Sequence, residues 1–137
     1  MCLALITETI APPDMTERYV WKLFCKCADH LRGCHYDLDG TLSAARAEVK
    51  PDPSTPWPRN EWLKACATNT VCEDSHDAYS TGFHCYRTRS AARIVKAAFP
   101  YEYSHVVLVK VKIRGLRYRG QQNGQDVLVA QELFIPE

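Results

Sequence analysis

Residues 25–35 read CKCADHLRGCH and place Cys25, Cys27, His30, Cys34 and His35 within eleven positions. Thiolates and imidazoles are zinc ligands, and four of them can close a tetrahedral site, with Cys25, Cys27, Cys34 and His35 as the candidate set. The spacing is not that of the usual CxxC pair, and the expectation is that the strand would have to break to bring Cys25 and Cys27 to one metal. The alternative reading is cross-strand cysteines packed as small hydrophobes. A looser second set is Cys66, Cys72, His76 and Cys85.

His84 lies in GFHCYR, near Tyr79, Tyr86 and Arg87. An imidazole at a strand end could serve as a general base or line a nicotinamide pocket. It could equally be a structural group bonded to a backbone carbonyl. No serine or cysteine nucleophile is placed beside it by local spacing, and the chain contains no P-loop, GxGxxG, HExxH or GxSxG pattern.

The third constellation is electrostatic. Residues 1–86 carry 8 basic and 12 acidic groups, net −4; residues 87–119 carry 9 basic groups and one acid, Glu102, net +8; residues 120–137 are net −3. The basic block comprises Arg87, Arg89, Arg93, Lys96, Lys110, Lys112, Arg114, Arg117 and Arg119, with Tyr101, Tyr103 and Tyr118 among them. Cations with interleaved aromatic rings suit phosphate contacts and base stacking. A solvated face balanced by the acidic half of the chain is the competing reading. No RNP, KH or helix-turn-helix signature is present.

The elements that would position these groups centre on residues 79–99. Gly82–Tyr86 reads as a strand, with Phe83 facing inward and His84 the other way. Thr88 is a candidate N-cap for a helix over about 88–99, ended by Pro100, whose apolar stripe is Ala91, Ile94, Val95 and Ala98 and whose basic face is Arg89, Arg93 and Lys96. Tyr19–Cys27 alternates as a strand, with Cys34–Leu38 as its return. Val106–Arg114 is the clearest strand, with Gly115 marking a bulge before Leu116–Arg119. Asn123-Gly124 signals a type I′ hairpin into a last strand over Val127–Ile135. Leu3–Ile6 reads as a short edge strand broken by Pro12 and Pro13; 41–49 as a short helix; 50–60, with four prolines, as loop; 61–66 as a helical turn or strand; 67–78 as loop. The expected class is α+β, a mainly antiparallel sheet packing one principal helix, in a single domain over 1–137.

At 137 residues and 46% apolar content the chain can bury a real core. No apolar run reaches membrane-spanning length, and the N-terminus lacks the basic region of a signal peptide. Seven cysteines, an odd count, fit a reduced, cytoplasmic protein better than a disulfide framework.

MCLA, WKLF, GFHCYRTRSAA, VVLVKVKIRG, GQQNG and VLVAQELFIP together resemble a small family of uncharacterised proteins from phages and bacterial mobile elements, over about two thirds of the chain. Gly82-Phe83-His84-Cys85-Tyr86 leading to Ala91 and Ala92 is also faintly similar to the second motif of ADP-ribosyltransferases. That similarity implies NAD as a cofactor, with His84 where that family has a stacking tyrosine and Glu132, or Asp126, in the place of the catalytic carboxylate. The resemblance and the basic block together lead to the expectation of a non-enzymatic binding protein with no membrane partner. It would act on a host protein or ribonucleoprotein, as an inhibitor of a nucleic-acid-targeting defence system. The alternatives are an ADP-ribosyltransferase-like enzyme using His84 and Glu132, and a small zinc-stabilised nucleic-acid-binding protein.

Overall fold

The structure, a computed structural model, describes residues 3–27, 30–33, 58–65, 69–72, 74–80, 82–98, 106–122 and 124–136. It consists of β1 (Leu5–Asp14), β2 (Arg18–Cys27), β3 (His30–Gly33), β4 (Trp62–Lys64), β5 (Asn69–Val71), β6 (Ala78–Ser80), β7 (Phe83–Tyr86), α1 (Arg89–Ala97), β8 (Val106–Gln122) and β9 (Gln125–Phe134). Among the described residues the class is mostly antiparallel sheet with one small helix.

β8 is the spine. The alternating VVLVKVKIR run continues through Gly115 into a strand of 17 residues. β1 and β2 lie end to end along one of its edges, from Leu5 opposite Gln121 to Cys25 opposite Val106. β9 takes the other edge after a two-residue hairpin loop between Gln122 and Gln125, in which Gly124 has a φ of 74°. β7 pairs with both β2 and β9, so the ladders run in a closed circuit β8–β2–β7–β9–β8, with β4 added beyond β9 and β3 beyond β2. The bulge expected at Gly115 falls just beyond it: the register shifts between Leu116 and Tyr118, and Gly115 itself has a φ of 73°. A side chain there would be strained, and its Cβ would sit 2.8 Å from Oε1 of Gln131.

Several expectations are corrected. Pro12 and Pro13 do not end β1; they occupy the stretch between Thr9 and Asp14 where its ladder to β8 lapses, so their missing N–H groups cost no sheet bonds. The strand returning from β2 includes His30–Gly33, in the stretch expected as the turn; Cys34–Leu38 lies outside the described residues, as do 41–49 and Tyr101, Tyr103 and Glu102. Residues 62–64 are strand, and the expected loop over 67–78 contains the β5–β6 hairpin. On α1 the buried positions are Ala91, Ala92 and Val95, while Ile94 is 56% exposed. Thr88 caps the helix as expected, its hydroxyl accepting from the Ala91 N–H at 3.1 Å.

Facing away from Phe83 does not expose His84: all four residues of β7 are buried, with α1 packed on this strand and Tyr79 of β6 bonded to the imidazole. Beside it, Lys22 of β2 is fully buried, and its Nζ donates to the His84 carbonyl at 2.6 Å. Around them Phe24, Phe83, Val111, Ile113, Leu116, Val129 and Leu133 form the core.

Between β1 and β2 the chain turns on Asp14, whose carboxylate accepts from the Thr16 N–H at 2.9 Å and from the Arg18 guanidinium at 2.7 Å. These bonds, the Thr16 backbone first and the Arg18 side chain next, lower its pKa from 3.8 to about 2. A lowered carboxylate pKa adds stability that is complete above the ordinary value and is lost as pH falls through the folded one. Asp14→Asn should therefore be less stable than the parent at neutral pH, and the difference should shrink as pH falls from 3.8 to about 2, as read by urea midpoints across that interval. A constant difference would show that the turn is held by something else.

Candidate nucleic-acid interface

The register sets one row of side chains across four strands. Tyr19 of β2 lies opposite Lys112 of β8, Lys112 opposite Phe134 of β9, and Phe134 opposite Trp62 of β4. Residues directly opposite one another in a ladder point to the same face. The adjacent row sets Trp21 opposite Lys110.

Cations and rings alternate along this surface. The Lys112 ammonium sits 4.7 Å from the Phe134 ring centroid and 5.9 Å from that of Tyr19. Lys110 lies 4.8 Å from Tyr19 and 5.8 Å from Trp21, and the Arg89 guanidinium 5.5 Å from Trp21. At the other end Arg114 is 4.0 Å from the Trp62 centroid, and Trp62 packs on Phe134 with centroids 5.4 Å apart. Each exposed contact of this kind contributes about 0.5–1 kcal/mol. The result is a continuous band, Arg89–Trp21–Lys110–Tyr19–Lys112–Phe134–Trp62–Arg114. Tyr19 is 60% exposed, and the other three rings are half-buried.

Among the described residues, counter-charge is present at one end only. Arg114 bonds Glu132 at 3.0 Å, which raises the guanidinium pKa, and Lys112 has Glu17 at 3.6 Å. Among the described residues, Arg89, Arg93, Lys96 and Lys110 form no ion pair. The helix cations border a groove of about 630 Å³ between α1 and the sheet.

The structure thus gathers six of the nine expected binding cations: Arg89, Arg93, Lys96, Lys110, Lys112 and Arg114. Arg119 is turned to β1, paired with Glu8 at 3.1 Å, and Arg87 lies in a separate small cleft with Asp126. Arg117 is occupied by the Gln131 carboxamide, with its Nε at 2.8 Å from the amide oxygen. Tyr118 is not a stacking platform: it packs edge-on against Tyr79 at 5.4 Å and its hydroxyl accepts from the Ser80 N–H. The rings that do line the band, Tyr19, Trp21, Trp62 and Phe134, were not among those the basic block pointed to. The alternation in YVWKLF carries two of them, but only the pairing of β2 with β8 brings them to the lysines.

His84 and Glu132 do not form a joint site. The imidazole is 2% exposed. Its Nδ1 is 3.0 Å from the Gly82 carbonyl, which can only accept, so Nδ1 carries the proton and Nε2 accepts from the Tyr79 hydroxyl at 2.9 Å. A ring so enclosed presents no surface on which a nicotinamide could stack. Glu132 is committed to Arg114 on the outer band.

Of the expected zinc ligands, Cys34 and His35 lie outside the described residues. β2 stays paired without interruption from Phe24 opposite Gly33 to Cys27 opposite His30, so the expected break between Cys25 and Cys27 does not occur; residues two apart on a regular strand share a face, and a shared metal needs no such break. Of the second set, Cys66 lies outside the described residues, while Cys72 and Cys85 are buried. Among the described residues no group of three or more His, Cys, Asp or Glu side chains is placed to hold a metal ion, and no helix is long and apolar enough to cross a membrane.

No family model, curated protein or solved structure matches the chain.

Proposed function

We propose that this is a non-enzymatic binding protein whose working surface is the cation–aromatic band, and that its occupant is single-stranded nucleic acid. The observation that carries the reading is the alternation itself. Four rings and three cations follow one another across β2, β8, β9 and β4, where neighbouring strands lie about 4.8 Å apart, and Arg89 of α1 extends the series at Trp21. Aromatic faces accept unpaired bases of any sequence, worth about 1–3 kcal/mol per base, while the cations between them take phosphates. A protein that only needed solubility would extend these lysines into water rather than lay them against rings.

The resemblance to phage and mobile-element proteins would set this surface against a host nucleic-acid-guided or nucleic-acid-cleaving system, with the protein acting there as an inhibitor. In that setting the proposal commits to the nucleic acid as the contacted component.

The test is fluorescence anisotropy of a labelled single-stranded 20-mer and of the matching blunt duplex over a salt series. The single strand should bind more tightly than the duplex, and log K should fall linearly with log salt, by about 0.7 per phosphate contacted. No binding of either at low salt, together with nuclease-resistant capture of an acidic host protein, would replace nucleic acid by a protein occupant.

A further inference from the structure

The groove at the Arg89 end of the band has a composition of its own. Its floor is Val107 and Leu108, one wall is Trp21, and the other wall carries Arg89, Arg93 and Lys96. Among the described residues no carboxylate lines it. The three cations follow at i, i+4 and i+7, on one face of a helix of nine residues, and span about 10 Å at 1.5 Å per residue.

This arrangement is unfavourable for the helix. Like charges four apart repel, and Arg89 stands in the first turn, where the helix dipole favours an acid; that turn contains none. The half-buried apolar floor and the half-buried ring beside it leave apolar surface for a flat ligand to pack on. A single type of ligand suits all three features: a flat aromatic body attached to a group of high negative charge.

We infer that the groove between α1 and the β2–β8 ladder is a subsite for the phosphorylated end of a nucleic-acid strand, with a terminal phosphate monoester on Arg93 and Lys96 and its base against Trp21. This rests on the reading of the band as a strand-binding surface, since Trp21 and Arg89 belong to both. A terminal monoester carries close to two negative charges at neutral pH. An internal diester carries one, so three unopposed cations discriminate in favour of the end. The groove volume of about 630 Å³ lies within the range of small-ligand sites.

The experiment titrates AMP, adenosine and inorganic phosphate, and in parallel 20-mers with phosphate or hydroxyl at each end, using calorimetry for the small ligands and anisotropy for the strands. AMP should bind at least tenfold more tightly than adenosine, inorganic phosphate should compete with it, and one phosphorylated end should improve strand affinity about tenfold. In Arg93→Ala/Lys96→Ala the preference for phosphate should vanish, so that phosphate-ended and hydroxyl-ended strands bind alike and AMP binds no better than adenosine. Both side chains are exposed, and unchanged helix content and urea midpoint would confirm that the variant folds. Equal binding of AMP and adenosine, or a phosphate preference that survives in the double variant, overturns the inference. If hydroxyl-ended strands still bind in that case, the strand-binding reading stands without it. Binding of AMP with no binding of any strand would keep the groove and remove the band.

Discussion

Reversing Lys110 and Lys112 together, in Lys110→Glu/Lys112→Glu, should weaken binding of a single-stranded 20-mer by more than a hundredfold at 100 mM salt. Lys112 is the hinge of the cross-strand row, opposite Tyr19 on one side and Phe134 on the other, and Lys110 links Tyr19 to Trp21. Removing the two cations takes away two phosphate contacts, which should lower the salt slope by about 1.4. Carboxylates in their place add repulsion toward the strand, next to Glu17, and lie against the electron-rich faces of the rings. Lys110→Gln/Lys112→Gln separates the two effects and should cost roughly tenfold. Affinity within threefold of the parent in the reversed variant would mean that the strand, if bound, is bound elsewhere.

His84→Leu should destabilise the protein by about 2–4 kcal/mol in urea unfolding while leaving strand affinity unchanged. The imidazole is a structural crosslink inside the circuit: it donates to Gly82, accepts from Tyr79, and the Tyr79 hydroxyl in turn accepts from the Leu3 N–H at 2.9 Å. This ties the chain ahead of β1 to β6 and β7. Leucine fills much of the space but returns none of the bonds. Tyr79→Phe keeps the ring and removes only the hydroxyl, so its smaller cost, about 1–2 kcal/mol, measures the outer part of the chain of bonds. A loss below 1 kcal/mol in His84→Leu would show that the network is not what holds β7 in place. A loss of strand binding without a loss of stability would move His84 from the core to the functional surface.

The contrast between these two sites shows what could be read from the sequence. The capped helix, the β8 run and the hairpin joining β8 to β9 are local signals, and each sits where its own residues place it; six of the nine cations of the basic block gather as well. Burial within β2 is different. Tyr19, Trp21 and Leu23 alternate with Val20, Lys22 and Phe24, and the period alone does not say which set is interior. The set containing a lysine is buried throughout, with Lys22 bonded to the His84 carbonyl, while of the other set Leu23 is buried, Trp21 half-buried and Tyr19 exposed. His84, which alternation put on the face opposite Phe83, is buried as well. The band was half legible for a related reason. Its cations cluster in sequence, but Tyr19 meets Lys112 across 93 positions, and Trp62 arrives from beside a proline-rich stretch through its pairing with Phe134. Such pairings belong to topology, which neither composition nor spacing encodes.

Ultraviolet crosslinking of the full chain to a single-stranded oligonucleotide, followed by mapping of the modified peptides, tests the central claim most directly. The account predicts photoproducts on Tyr19, Trp21, Trp62 and Phe134, which form one continuous surface in the fold although they lie far apart in the chain. Crosslinks confined to Tyr118 or other rings off the band, or a strand that crosslinks nowhere, would contradict it.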